Sequence, residues 1–213
     1  MIRASRLTLS LLGLLALTPA GAAEAQSLSF GLMAGGSLST FTGDISSDAK
    51  NYAGYIVGGF LHLEAAGFAI QPGLFYSVKG VKSSDFSGTS DGKTTLDYIQ
   101  IPLMLRIGMG SGKARLYIGA GPAIGLKIGC SVSAASSGYG SGGTDCKDAV
   151  LLPSAKSSEI SGIVEAGLEF GKFSLGARGD LGISNAFEAI QGGSTANVNV
   201  KTRTVSLVAA IRL

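Results

Sequence analysis

Charge is what this chain has least of. Asp, Glu, Lys and Arg together supply 15% of its 213 residues, against about 25% in an ordinary soluble domain. After the first twenty residues no run of 18 or more apolar residues occurs, which excludes a helical membrane protein. Lys and Arg do not cluster and the formal net charge is only +3, so the electrostatic footprint of a nucleic-acid binder is missing. There are two cysteines, Cys130 and Cys146, and one histidine, His62, remote from both in sequence. That leaves the cysteines without the partners that a metal site or a catalytic thiol pair needs. What the chain has in excess is glycine, 33 residues, and a mean hydropathy of +0.38.

The N-terminus has the three parts of a secretory signal peptide. Arg3 and Arg6 provide a positive start, Leu7–Leu17 an apolar core, and Ala23-Glu24-Ala25 an A-x-A cleavage site. This predicts removal of residues 1–25 before Gln26, leaving residues 26–213 as one exported domain. No cysteine follows the apolar run, so a lipoprotein anchor is not indicated. Removing Arg3, Arg6 and Glu24 lowers the formal charge from +3 to about +2. Exported cysteines meet an oxidising compartment, and Cys130 with Cys146 is read as a disulfide stabilising its loop by about 3 kcal/mol.

The mature chain alternates large aliphatic residues with small or polar ones, the period of a β-strand. In "YIQIPLMLRIG" (Tyr98–Gly108), Ile99, Ile101, Leu103, Leu105 and Ile107 share one face; Tyr98, Gln100, Pro102, Met104 and Arg106 share the other. The pattern recurs in eight segments, at about residues 28–39, 55–64, 68–79, 98–107, 115–127, 159–170, 173–184 and 204–213. Each has about the length that crosses a bilayer as a tilted strand. Short connections (65–67, 108–113, 171–172) alternate with long ones (41–53, 80–94, 129–157, 185–199). This is the threading of an outer-membrane barrel, with tight turns in the periplasm and longer loops outside. The expectation is an all-β, eight-stranded, antiparallel up-and-down transmembrane β-barrel.

The ionisable residues within the strands fall on the face carrying Gly and small polar residues. A soluble barrel would crowd the aliphatic faces of all eight strands inside and cover its exterior with glycine. The reverse assignment, aliphatics toward lipid, suits a narrow interior. On the lipid face Phe30, Phe68, Phe170 and Phe173 fall at the short-turn end, and Tyr55 and Tyr76 toward the long loops, as two membrane-interface bands. The inward set holds Glu64, Glu159, Glu165, Glu169 and Asp180 against Lys79, Arg106, Arg115, Lys127, Arg178 and Arg212. Near balance points to mutual pairing. If the Gly171-Lys172 turn sets Phe170 against Phe173, Glu165 faces Arg178. Arg106, Arg115, Glu169, Glu64 and Arg212 form a second expected network near the short-turn end. A filled lumen is the favoured reading, and a narrow ion path lined by the same charges is the competing one.

"YIQIPLMLRIG", "YIGAGPAIGL" (Tyr117–Leu126) and "GLFYSVKG" (Gly73–Gly80), in this order and spacing, resemble the porin-family, PorT-like outer-membrane β-barrel domain. The resemblance runs through residues 27–213. It implies the barrel fold and no catalytic residues. The final "AAIRL" departs from the family's frequent aromatic ending, which bears on insertion efficiency.

Three functional readings stand. The leading one is a non-enzymatic integral outer-membrane protein with a structural or surface-interaction role through its four long loops. A small-solute or ion channel is the second. An outer-membrane lipid-modifying enzyme is the third; it would need a histidine-centred acyl-transfer site, for which His62 is the sole candidate, better read as a lumen histidine. The loop "SSGYGSGGTD" lacks the Lys-Ser/Thr and helix of a phosphate cradle. No cofactor, metal or nucleic acid is expected. The expected partners are outer-membrane lipid, the barrel-assembly machinery and an unidentified extracellular ligand at the loops, with the protein a monomer.

Overall fold

The computed structural model describes residues 27–43, 49–84, 91–110, 112–134, 144–145, 154–155, 157–184, 187–191, 194–196 and 200–213. Eight long strands build it: β1 (Ser27–Gly43), β2 (Ala49–Ala65), β3 (Phe68–Ser84), β4 (Asp91–Met109), β5 (Arg115–Ala134), β6 (Ser158–Phe170), β7 (Phe173–Gly182) and β8 (Val200–Arg212). Each pairs antiparallel with its sequence neighbours, and β1 pairs with β8 from Gly31↔Arg212 to Gly43↔Val200. The last pairing closes the sheet into a barrel and leaves no edge among these strands.

The short turns follow from local chemistry. Ala66 (φ 50°) and Gly67 (φ 84°) are both left-handed, the pattern of a two-residue hairpin turn whose twist matches its strands. Gly171 (φ 60°) opens the second such turn, and it sets Phe170↔Phe173 and Glu165↔Arg178 in register.

Alternation sorts the side chains as the composition requires. Aliphatic residues of all eight strands point outward and are about half exposed or more: Leu207 is 74% exposed, Val205 63%, Leu175 59%, Leu103 52%. A soluble monomer rarely exposes a contiguous apolar patch beyond a few hundred Å²; a band around the whole barrel needs hydrocarbon against it. Phe30, Phe68, Phe170 and Phe173 lie outward at the short-turn end, and Tyr55 and Tyr76 lie toward the other end, their ring centroids 5.9 Å apart. Phe68 and Tyr76 stand eight residues apart on β3, about 20 Å in height for a tilted strand.

The interior is not built of small residues alone: the inward face also carries Phe60, Phe75, Tyr98, Met104, Tyr117 and Ile163, all buried. The inward glycines make room for these rings. A Cβ on Gly31 would lie 2.2 Å from Cζ of Phe60, and one on Gly176 would lie 2.3 Å from the Tyr117 hydroxyl.

Strand length corrects one expectation. β1 to β5 run 17 to 20 residues, so much of the expected loops 41–53 and 80–94 is strand. The 185–199 connection also carries strand, with Phe187–Gln191 pairing with Ser194–Ala196 and with Ser154–Ala155. Beyond the apolar band neither face needs to be greasy, so the period-two signal fades while the backbone ladder continues. Two irregularities mark this zone, at Asn51/Tyr55 and Asp97/Tyr98. At the first, Ser39 reaches past β2: its Oγ accepts from Gly80 N (2.9 Å) and donates to Gly80 O (3.0 Å).

Leu207 sits near mid-height, opposite Gly36 and Ala177. Leu207→Arg should cost about 2–4 kcal/mol, measured by denaturant unfolding of the barrel refolded into lipid vesicles, whereas Leu207→Ile should be nearly neutral.

Candidate functional site

The functional candidate is the lumen, because alternation sends the strands' polar side chains there and closure brings opposite strands within reach. The chain of contacts starts below the long loops. Lys79 (β3) lies 3.1 Å from Glu159 (β6) and 3.4 Å from Asp180 (β7). Thr202 (β8) donates to the same Glu159 oxygen at 2.7 Å. Gln100 (β4) bridges onward, its Nε2 donating to Asp180 and its Oε1 accepting from Arg178 (β7) at 3.3 Å. Arg178 faces Glu165 (β6) at 3.8 Å, and the Tyr117 (β5) hydroxyl donates to Glu165 at 2.9 Å.

Arg106 (β4) continues the chain. Its guanidinium lies 3.9 Å from Glu165, 3.5 Å from Glu169 (β6), and over the Tyr117 ring at 3.5 Å from its centroid, a cation–π contact in a desolvated place. Arg212 (β8) then lies 3.6 Å from both Glu169 and Glu64 (β2), and Arg115 (β5) donates to Glu64 at 3.1 Å. Arg212 also donates to the Gly171 carbonyl at 2.8 Å, which ties the network to the Gly171-Lys172 turn.

His62 Nε2 stands 3.1 Å from both Glu64 and Arg212. A neutral imidazole satisfies one of these through that nitrogen, as donor to the carboxylate or acceptor from the guanidinium. Its Nδ1 has no hydrogen-bond partner among the described residues. Nε2, the atom a nucleophile's base would use, is thus already taken by a salt-bridged pair.

Five carboxylates and five cations make up this continuous chain. Its net charge is therefore zero, and each acid has a cation within 4 Å. That matters because an isolated charge in a low-dielectric interior costs several kcal/mol, whereas a compensated one is tolerated. Between the polar members, Leu96, Tyr98, Tyr117 and Ile163 are at most 2% exposed and fill the cross-section. At the short-turn end a recess between His62, Arg106, Arg115 and Glu169 has a volume of about 10 Å³, room for a single water.

Of the residues singled out in the sequence, Glu165, Arg178, Arg106, Arg115, Glu169, Glu64 and Arg212 are brought into one connected set rather than two networks. Lys127 is half-buried near the long-loop end of β5. Cys130 lies on β5 opposite Leu96, and Cys146 lies outside the described residues, as does the 1–25 leader. Sequence reasoning missed the neutral connectors Gln100, Tyr117 and Thr202, and the pairing of Lys79 with Glu159 and Asp180. Only their inward parity was readable. Among the described residues no group of three or more His, Cys, Asp or Glu is placed to hold a metal ion.

The family model described as "Outer membrane protein beta-barrel domain" matches residues 24–188. The chain belongs to this outer-membrane β-barrel family. That places it in the bacterial outer membrane and accounts for the greasy exterior of its eight strands. A comparison with curated proteins finds no match. Solved structures similar in fold include Neisserial surface protein A, at 11% identity, covering 88% of this chain and 100% of that one, with a TM-score of 0.47. The Ail protein of Yersinia pestis, crystallised with the heparin analogue sucrose octasulfate, shares 16% identity over 88% of this chain and 99% of that one, TM-score 0.44. The outer membrane enzyme PagL shares 11% identity over 87% and 99%, TM-score 0.30.

Glu165→Ala should leave Arg178 without its carboxylate partner, beside Gln100, the Met33 sulfur and the Phe75 ring, and cost about 3–5 kcal/mol. The readout is the temperature at which the folded band converts to the unfolded one on a gel; an unchanged temperature would remove the pair from the account.

Proposed function

We propose that this protein is a non-conducting, non-enzymatic outer-membrane barrel, a rigid membrane scaffold that presents its four long connections for structural or surface interaction. The observation that carries the reading is the uninterrupted, charge-neutral chain from Lys79 to Arg115, packed around buried Tyr98 and Tyr117. A conducting lumen needs a wet path, and this one is filled by side chains that hold each other. The enzyme reading is disfavoured by the sole histidine, whose Nε2 is engaged by Glu64 and Arg212.

In this proposal the short turns face the periplasm and the long connections the exterior. The phenylalanines at the short-turn end and Tyr55 and Tyr76 toward the other mark the two membrane interfaces. Within the family, the motifs at 73–80, 98–108 and 117–126 resemble those of the PorT-like porin group, for which "porin" is a fold label. Residues 1–25 serve as a cleaved export signal, Cys130 and Cys146 form a disulfide that ties the connection after β5, and the barrel is monomeric once the assembly machinery has inserted it.

Planar-bilayer recordings on the refolded protein test the central claim. The expected result is no unitary conductance steps; reproducible steps at wild-type composition would replace the scaffold with a channel. The outer-membrane fraction should yield a mature chain whose N-terminal residue is Gln26, by Edman or mass analysis.

A further inference from the structure

At the short-turn end of the lumen the carboxylates are all engaged, while buried hydrogen-bond donors are left over. Each of the four carboxylate oxygens of Glu64 and Glu169 faces a cation: Glu64 is met by Arg115 and Arg212, Glu169 by Arg106 and Arg212. Glu165 is taken up one level higher, by Arg178 and the Tyr117 hydroxyl. Three arginines thus stand against two carboxylates at this level, although the whole chain of contacts is balanced. Arg106 is the least satisfied of the three. It is 4% exposed, and its Nε and Nη2 have no hydrogen-bond partner among the described residues, its ion pairs with Glu165 and Glu169 being contacts of 3.9 and 3.5 Å. His62 is 3% exposed and leaves Nδ1 in the same condition. Unpartnered polar atoms this deeply buried are rare in folded proteins and call for an explanation. Both side chains line the small recess at this end, and Arg115 and Ala69 complete its wall. Arg115 can lie over it because residue 108 is glycine: a Cβ there would collide with Nη2 of Arg115.

We propose that this recess binds a single halide ion, held by the Arg106 guanidinium, Arg115 and the Nδ1–H of His62. A water in the same place would have to donate as well as accept, and the acceptors around it are already committed to arginines. An anion only accepts, and it brings this level of the lumen to neutrality, which a desolvated arginine requires. The anion also decides the state of His62. With the imidazole proton on Nδ1, Nε2 is free to accept from Arg212 at 3.1 Å, and Glu64 keeps both Arg115 and Arg212. Every group in the cluster is then satisfied at once. Size sets the class of ligand. A volume of about 10 Å³ takes one atom of about the size of a water. Chloride or bromide fits once Arg115, 30% exposed, gives way slightly; nitrate, sulfate and carboxylates are too large.

The site depends neither on which end of the barrel faces the exterior nor on whether the lumen conducts. The test uses the full mature chain refolded in detergent, in two measurements. Crystals soaked in sodium bromide should show an anomalous peak in the recess, beside Arg106 and His62. In solution, ¹⁵N spectra of histidine-labelled protein report His62 alone, because it is the only histidine. In sodium chloride they should show a protonated Nδ1 and an unprotonated Nε2, and the signals should shift when chloride is replaced by gluconate at equal ionic strength. The midpoint of the chloride titration should rise about ten-fold in Arg115→Gln, which removes one half-exposed charge beside the ion. The response should vanish in Ala69→Val, which fills the recess without changing its charge. Lys172→Gln, in an exposed turn, should leave it unchanged. Heat-modifiable migration verifies that each variant is a closed barrel; were Ala69→Val unfolded, Arg115→Gln and the wild-type halide series carry the same comparison. A water in place of the bromide, ¹⁵N signals indifferent to halide, or an unaltered midpoint in Arg115→Gln would each overturn the proposal.

Discussion

Closure of the sheet by β1 on β8 is the constraint on which everything else depends. In hydrocarbon no water is available to satisfy an exposed N–H or C=O, so a strand can cross only if both its edges are paired. Eight strands meet that demand with the smallest common membrane barrel, and the consequence is a lumen only as wide as the side chains that line it. From that width follow the two habits of the interior: rings that lie against glycines, as Phe60 does against Gly31 and Tyr117 against Gly176, and charges that must find partners inside because solvent is not there to provide them.

The charge network answers the second demand by crossing the lumen rather than running along its wall. Lys79 of β3 meets carboxylates of β6 and β7, and Arg106 of β4 meets two carboxylates of β6. The Lys79 contacts pin opposite sides of the barrel together, the Arg106 contacts reach across β5, and the neutral members Gln100, Tyr117 and Thr202 use some of the lone pairs and protons left over. The outer surface follows a different economy. Lipid contacts need no matching, so charges there occur only where the strands have left the hydrocarbon.

How far the site was legible depends on the distance over which each partner had to be inferred. Glu165 and Arg178 flank a two-residue turn, so counting outward from Gly171-Lys172 places them opposite each other. The same counting finds no partner for Lys79, because Glu159 and Asp180 lie 80 and 101 residues along the chain and meet it only across the closed lumen. The long strands were under-read for a related reason. Periodicity reports an environment that differs on two faces, and above the bilayer both faces of β2, β3 and β4 meet water.

By itself the sequence determined which side chains share a face, that eight such faces exist, that short and long connections alternate, and that the greasy face is the outer one. Those properties are local: a pleat alternates with period two, and a glycine-rich face cannot cover a water-soluble surface. Only the tertiary structure decided which cation holds which carboxylate and that the two expected networks are one. It also decided how tightly the rings close the cross-section. Such facts depend on strand register and on the diameter at which the barrel closes, and these are set by the whole sheet at once rather than by any stretch of it.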